Sequence, residues 1–299
     1  MPLNRIVVVE PSGFCAGVKR AVALVDQTLR EKGSPLYCYR ELVHNRQVIA
    51  QFTARGVTFV GSLAEVPAGA NLVFSAHGIA PALVEEAQQR NLQVIDATCP
   101  FVARIHSKVR QFVADGRLVF LVGHRGHDEV RGVVGEAPGH ILVIENPAEA
   151  EAVQVPAGAA LALVTQTTLN VTDTEKTVNI LRRRFPKLAT MSHDDICFAV
   201  RNRQLGVIKL AAQVHKILVL GAQNSSNSQR LVEVACAAGA EATLISTLDD
   251  LISLNWQDVG SVGITAGAST PDSFVQEVID SLKQQGNPEV ITLSVMANE

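Results

Sequence analysis

The sequence predicts an α/β protein made of three similar units, each built on a small, mostly parallel sheet. Short β-branched runs recur along the 299 residues, and each runs into a polar or glycine-rich loop and then a helical pattern. Near-continuous apolar strands alternating with helices indicate parallel sheets covered on both faces. An apolar fraction of 47% supplies the cores, and a charged fraction of 18% argues against disorder.

The strand–loop pairs, in order, are IVVVEPSGFCAG, LVFSAHG, VIDATCP, LVFLVGHRGH, LALVTQTTL, ILVLGAQNSSNS and VGITAGAST. Helices are expected between them. Ala16–Arg30 keeps Val18, Ala21, Val22 and Val25 at helical spacing, and Gly33 stops it. Phe101–Val113, Thr172–Phe185 (ended by Pro186), Asn202–Val214 and Asn227–Ala238 follow the same rule. No low-complexity stretch or long linker divides the chain. The expected units are residues 13–96, 97–193, and 194–299 joined by 1–12.

Composition excludes several classes. A net charge of −3 leaves no basic footprint for nucleic acid. No apolar run reaches the roughly 18 residues of a membrane span. The start, MPLNRIVVVEPSG, moves straight into a strand without signal-peptide anatomy. Five widely spaced cysteines suit functional thiols in a reducing compartment, so a cytoplasmic protein is expected.

Ligands of parallel sheets bind outside the carboxyl ends of the strands, and the chemistry-bearing residues concentrate in those loops. Cys15, Cys99 and Cys197 fall one to each expected unit. Three thiolates can hold an iron–sulfur cluster and leave one iron of a four-iron cluster open. Cys38 and Cys236 read as small buried hydrophobes. His44, His77 and His127 lie in separate loops, and imidazole N–H groups donate well to phosphate oxygens. His124 is left out of that set. Ser225, Ser226 and Asn227 open a helix directly after a strand, either as an ordinary N-cap or as an anion site. Ser269 sits in a second loop of that kind. Glu129 is the carboxylate placed for proton chemistry, its alternative being a solvated helix-start glutamate. Thr167 offers a hydroxyl that both donates and accepts.

Together GFCAGVKRA, VHN, FSAHG, DATCP, GHDEVRG, TQTTL, DDIC with NRQ following, NSSNSQRL and TAGASTPD resemble the 4-hydroxy-3-methylbut-2-enyl diphosphate reductases of the non-mevalonate isoprenoid pathway. The resemblance runs from Gly13 to Asp272 and implies three α/β units in a trefoil around a central cluster. It implies Cys15, Cys99 and Cys197 as ligands of a 4Fe-4S cluster with one open iron. It implies His44, His77, His127, Ser225, Ser226, Asn227 and Ser269 as binders of an allylic diphosphate. Glu129 matches the proton-delivering acid and Thr167 its helper, and a ferredoxin or flavodoxin is the implied electron donor. No nucleic acid or membrane partner is implied.

Four positions depart from the family pattern. Asp128 stands where proline is usual, Val200 where a nearby threonine is common, and Tyr39–Arg40 where arginine–histidine is common. Two other readings remain: a non-catalytic iron–sulfur redox sensor, and a cluster-free sugar-phosphate enzyme. The first leaves the anion loops and the acid unexplained, and the second leaves three cysteines idle.

Overall fold

The apolar runs form strands, in chain order: β1 (Arg5–Glu10), then β2 (Leu36–Tyr39), β3 (Val57–Val60), β4 (Asn71–Phe74) and β5 (Gln93–Asp96). β6 (Leu118–Val122), β7 (Ile141–Ile144), β8 (Leu161–Thr165) and β9 (Ala189–Thr190) follow, then β10 (Lys216–Leu220), β11 (Glu241–Ile245), β12 (Ser261–Ala266) and β13 (Glu289–Ser294). Helices α1 (Ala16–Lys32), α2 (Arg46–Thr53), α3 (Pro81–Gln89), α4 (Pro100–Ala114), α5 (Asp128–Val134) and α6 (Pro147–Ala152) connect the earlier strands. The later ones are connected by α7 (Val171–Arg184), α8 (Phe198–Ala211), α9 (Ser226–Ala237), α10 (Leu248–Ile252) and α11 (Asp272–Lys283). This computed structural model describes residues 3–191, 195–256, 259–284 and 287–295. The expected unit boundary between His193 and Asp194 lies outside the described residues.

Three sheets result, ordered β11-β10-β12-β1-β13, β3-β2-β4-β5 and β7-β6-β8-β9. All their pairings among the described residues are parallel, as the α/β reading requires. The chain forms two compact units. The first comprises Met1–Ala16, His44–Val48 and Phe198–Glu299 and contains the five-stranded sheet; the second comprises Gly17–Val43 and Ile49–Cys197 and contains both four-stranded sheets.

Alternation along β1 shows why the strands are apolar throughout. Ile6 and Val8 pack with Leu218, Ile264 and the Phe274, Val278 and Leu282 stripe of α11. Val7 and Val9 face the other way, onto Val207 and Leu210 of α8 and Leu231 and Val234 of α9. In the second unit β6 and β8 bury Val119, Leu121, Ala162 and Val164 against Ile105 and Val109 of α4 and Val130 and Val133 of α5.

Two sequence expectations are corrected. The helix expected at Asn202–Val214 begins four residues earlier, at Phe198. Its pattern is mixed: Arg203 and Gln204 are buried alongside Val200, Val207 and Leu210 while Phe198, Leu205 and Ile208 are exposed, so apolar spacing misplaces its start. Cys236 is exposed rather than buried, because α9 turns Leu231, Val234 and Ala235 inward and leaves Cys236 outside. Cys38 is buried as expected, and burial pushes its thiol up to about 12.

Candidate active site

Within the second unit, six of the expected residues form a connected series. Cys99 is the N-cap of α4, and its backbone N–H donates to Ala76 O at 3.0 Å. Next to Ala76, His77 has Nδ1 3.3 Å from Ser75 Oγ, a hydroxyl that sequence reading missed. The His77 and His127 rings meet edge to face at 5.8 Å. His127 caps α5, its Nδ1 accepting from Glu129 N at 3.2 Å. A neutral imidazole that accepts at Nδ1 carries its proton at Nε2, which makes Nε2 the donor toward a ligand. Glu129 Oε1 accepts from Thr167 N at 2.7 Å and Oε2 from Thr167 Oγ1 at 2.9 Å. Thr167 O in turn accepts from Cys197 N at 3.1 Å.

Glu129 is therefore not a solvated helix-start residue. It is 2% exposed, and burial pushes its carboxyl up to about 7, outweighing the two Thr167 hydrogen bonds that pull it down. An acid with that value is protonated in a large fraction of molecules near neutrality and can donate. Its neighbour Asp128 is paired with Arg40, Nη1 to Oδ1 at 2.5 Å, and lies 3.7 Å from Arg131. Arg40 holds a left-handed backbone (φ 58°) at the end of β2.

The other six expected residues belong to the first unit and are also linked. The Cys15 N–H donates to Ala268 O at 2.9 Å, and the next residue, Ser269, donates through Oγ to His44 O at 3.0 Å. Gly267 N and Thr270 Oγ1 both donate to Leu220 O, each at 2.8 Å, tying this loop to the end of β10. From β10 the chain reaches Ser225, which caps α9 by accepting from Ser228 N at 3.3 Å. Gly221 and Gly267 both press on Ser228, where an added Cβ would come within 2.2 Å of its hydroxyl. Only glycine allows that approach, and it brings the two loops together.

Asn227 carries the most informative detail. It is 4% exposed, yet neither Oδ1 nor Nδ2 finds a partner among the described residues. A buried amide left in this state costs ~1–3 kcal/mol. It lies at the amino end of a twelve-residue helix, beside Ser225 and Ser226, where backbone N–H groups favour an anion.

The cysteines divide by environment. Cys15, Cys99 and Cys197 are half-buried at or beside loops, whereas Cys38 is sealed in a strand and Cys236 lies on a helix surface. Cys38 is therefore the poorest metal donor of these, since a thiol held near 12 supplies little thiolate. Sequence reading gives no role to two residues of the NRQ and TQTTL motifs: Arg203, 1% exposed, and Gln166, 1% exposed, whose Oε1 accepts from His124 N at 3.0 Å. Among the described residues no helix is long and apolar enough to cross a membrane.

Known proteins resemble this chain over nearly its whole length. A model described as LytB protein matches residues 6–283. A 4-hydroxy-3-methylbut-2-enyl diphosphate reductase of Acidothermus cellulolyticus is 45% identical over 96% of this chain and 84% of its own length. One from Rhodococcus jostii is 46% identical over 99% of this chain and 88% of its own. A solved E-1-hydroxy-2-methyl-but-2-enyl-4-diphosphate reductase from Plasmodium falciparum superposes with a TM-score of 0.96 at 32% identity, covering 100% of this chain and 94% of that one.

Proposed function

The chain belongs to the LytB protein family, and on that premise we infer that it catalyses reductive removal of the hydroxyl of 4-hydroxy-3-methylbut-2-enyl diphosphate. The products are isopentenyl and dimethylallyl diphosphate, and the reaction takes up two electrons and two protons and releases water. The observation that carries the reading is Glu129: a buried acid, held by Thr167 and raised to about 7, whose backbone N–H donates to His127 Nδ1.

In this reading Cys15, Cys99 and Cys197 hold a 4Fe-4S cluster that leaves one iron open. When bound, it supplies electrons one at a time and a Lewis-acidic site for the leaving oxygen. The remaining work falls to side chains. Ser225, Ser226, the orphaned Asn227 amide and Ser269 bind the diphosphate, with help from His44, His77 and His127. Glu129 gives its proton to the departing hydroxyl so that water leaves, and Thr167 fixes the carboxyl and returns a proton from its hydroxyl side. The electron donor is a ferredoxin or flavodoxin, and the setting is the cytoplasm.

An anaerobic turnover assay tests this. Reduced, cluster-loaded protein given 4-hydroxy-3-methylbut-2-enyl diphosphate should yield both five-carbon diphosphates. No product from a fully loaded preparation would overturn the assignment and favour a redox sensor.

A further inference from the structure

Arg203 lies on α8, and its side chain is almost fully buried at 1% exposure. A guanidinium stays charged at any pH that proteins tolerate, and removing it from water costs several kcal/mol. Such a residue persists where its planar fork fixes something. Here the fork reaches three separate segments. Nη2 donates to Gly13 O at 2.7 Å, Nε to Ala266 O at 3.2 Å, and Nη1 to Ala199 O within its own helix at 2.9 Å.

The two remote carbonyls are significant. Gly13 lies two residues before Cys15, and Ala266 ends β12 three residues before Ser269. Gly13 takes φ +72° and has no room for a Cβ, which would fall 1.7 Å from Asp272 Oδ1. The cysteine loop is thus tightly placed, and a second tie from Cys15 N to Ala268 O joins it to the serine loop. Ser269 then holds His44 O. One hydrogen-bonded series runs from Arg203 through both loops to the histidine segment.

We propose that Arg203 is a positioning residue that clamps the Cys15 loop to the Ser269 loop, so that retention of the metal centre and affinity for diphosphate are set together. The proposal rests on the reading of Cys15 as a cluster ligand and Ser269 as a diphosphate binder. Lysine at this place keeps the charge but has one nitrogen, so it cannot hold both remote carbonyls in the guanidinium geometry.

The test uses anaerobically prepared protein and the variants Arg203→Lys and Arg203→Gln. Three quantities are read: the rate of iron loss to a chelator, the Kd for inorganic diphosphate, and amide exchange at Cys15 in metal-free protein. Arg203→Lys should lose iron about tenfold faster and bind diphosphate about tenfold more weakly, with Cys15 exchange faster by a similar factor. Glu129→Gln should move none of the three. A folded Arg203→Lys protein with wild-type values, or one that changes only one loop, overturns the clamp. Should both variants fail to fold, the wild-type protein decides: the Cys15 and Gly267 amides exchange in one step if the loops are clamped, and at unrelated rates if they are not. Wild-type protein that holds no iron would instead overturn the cluster assignment, which separates the two failures.

Discussion

In the first unit the loops at the strand ends present hydroxyls, helix N–H groups and an amide without a partner among the described residues; in the second they present imidazoles and a carboxyl whose two oxygens are both held. Both sets of loops rise from parallel strands of the same kind. The difference lies in what each leaves unfinished. Asn227 is buried with its amide unmatched among the described residues, which suits the binding role proposed for it. Glu129 has both oxygens held and burial favours its protonated form, which suits the acid role proposed for it.

The strongest test of that division is Glu129→Gln. It should lower kcat by about 10²–10⁴-fold while changing the diphosphate Kd less than about twofold. Equal losses in both would break the division. The wild-type rate should also fall as pH rises through about 7, because the acid is then lost. Stability follows the same group. The folded protein keeps this proton up to about 7 while the unfolded chain releases it near 4.5. The native state therefore binds more protons in that window, and stability declines as pH rises through it, by up to about 3 kcal/mol. Glu129→Gln should flatten that decline in urea titrations at pH 5 and pH 8.

Asn227→Leu makes the complementary test. Diphosphate affinity should fall about tenfold with kcat nearly unchanged, since the amide contributes to binding. Without ligand, the variant should be more stable by about 1 kcal/mol, because an unsatisfied buried amide has been replaced by an apolar group of similar size. Loss of stability together with unchanged affinity would mean that Asn227 serves the fold.

Thr167→Val comes next in size. It keeps the N–H bond to Oε1 and removes the hydroxyl bond to Oε2. The Thr167 hydroxyl holds the Glu129 carboxyl down, so its loss should move the falling limb of the pH–rate profile upward. The rate itself should drop about tenfold. A limb that moves down would contradict the hydrogen-bond account.

The same division explains what the sequence made legible. Strand ends and the loops after them were readable because parallel strands are apolar on both faces, and the loops carrying Cys15, Glu129 and Ser269 follow such strands. Arg203 was not readable as a functional residue. A charged residue in a helix reads as exposed, and only the close approach of Gly13 and Ala266 makes its burial sensible. Cys236 failed for the opposite reason: an alanine-rich stretch has too little contrast to say which side faces the core. Asn227 was legible as a cap neighbour, but its missing partners are a fact of packing, visible only in three dimensions.

The smallest expected effect concerns Asp128 and Arg40, both departures from the family pattern and partners of each other in this structure. Asp128 puts a negative charge beside the buried acid, and Arg40 offsets it from the end of β2. The pair is partly exposed, at 34% and 15% for the two side chains, so water screens it and its effect on Glu129 is modest. Arg40→Met leaves the Asp128 charge with the more distant Arg131 and with His77, a ring nitrogen of which lies within 4.8 Å of it; this should hold the Glu129 proton more tightly and move the falling limb up by about half a pH unit. Asp128→Asn leaves the cation instead and should move the limb down by a similar amount. The double variant should return it to the wild-type position, with His77 and His127 unchanged beside it. Singles of opposite sign that cancel in the double identify the two departures as one compensated change. Singles that move the limb the same way would show that Arg40 acts through the backbone of β2 and not through Asp128.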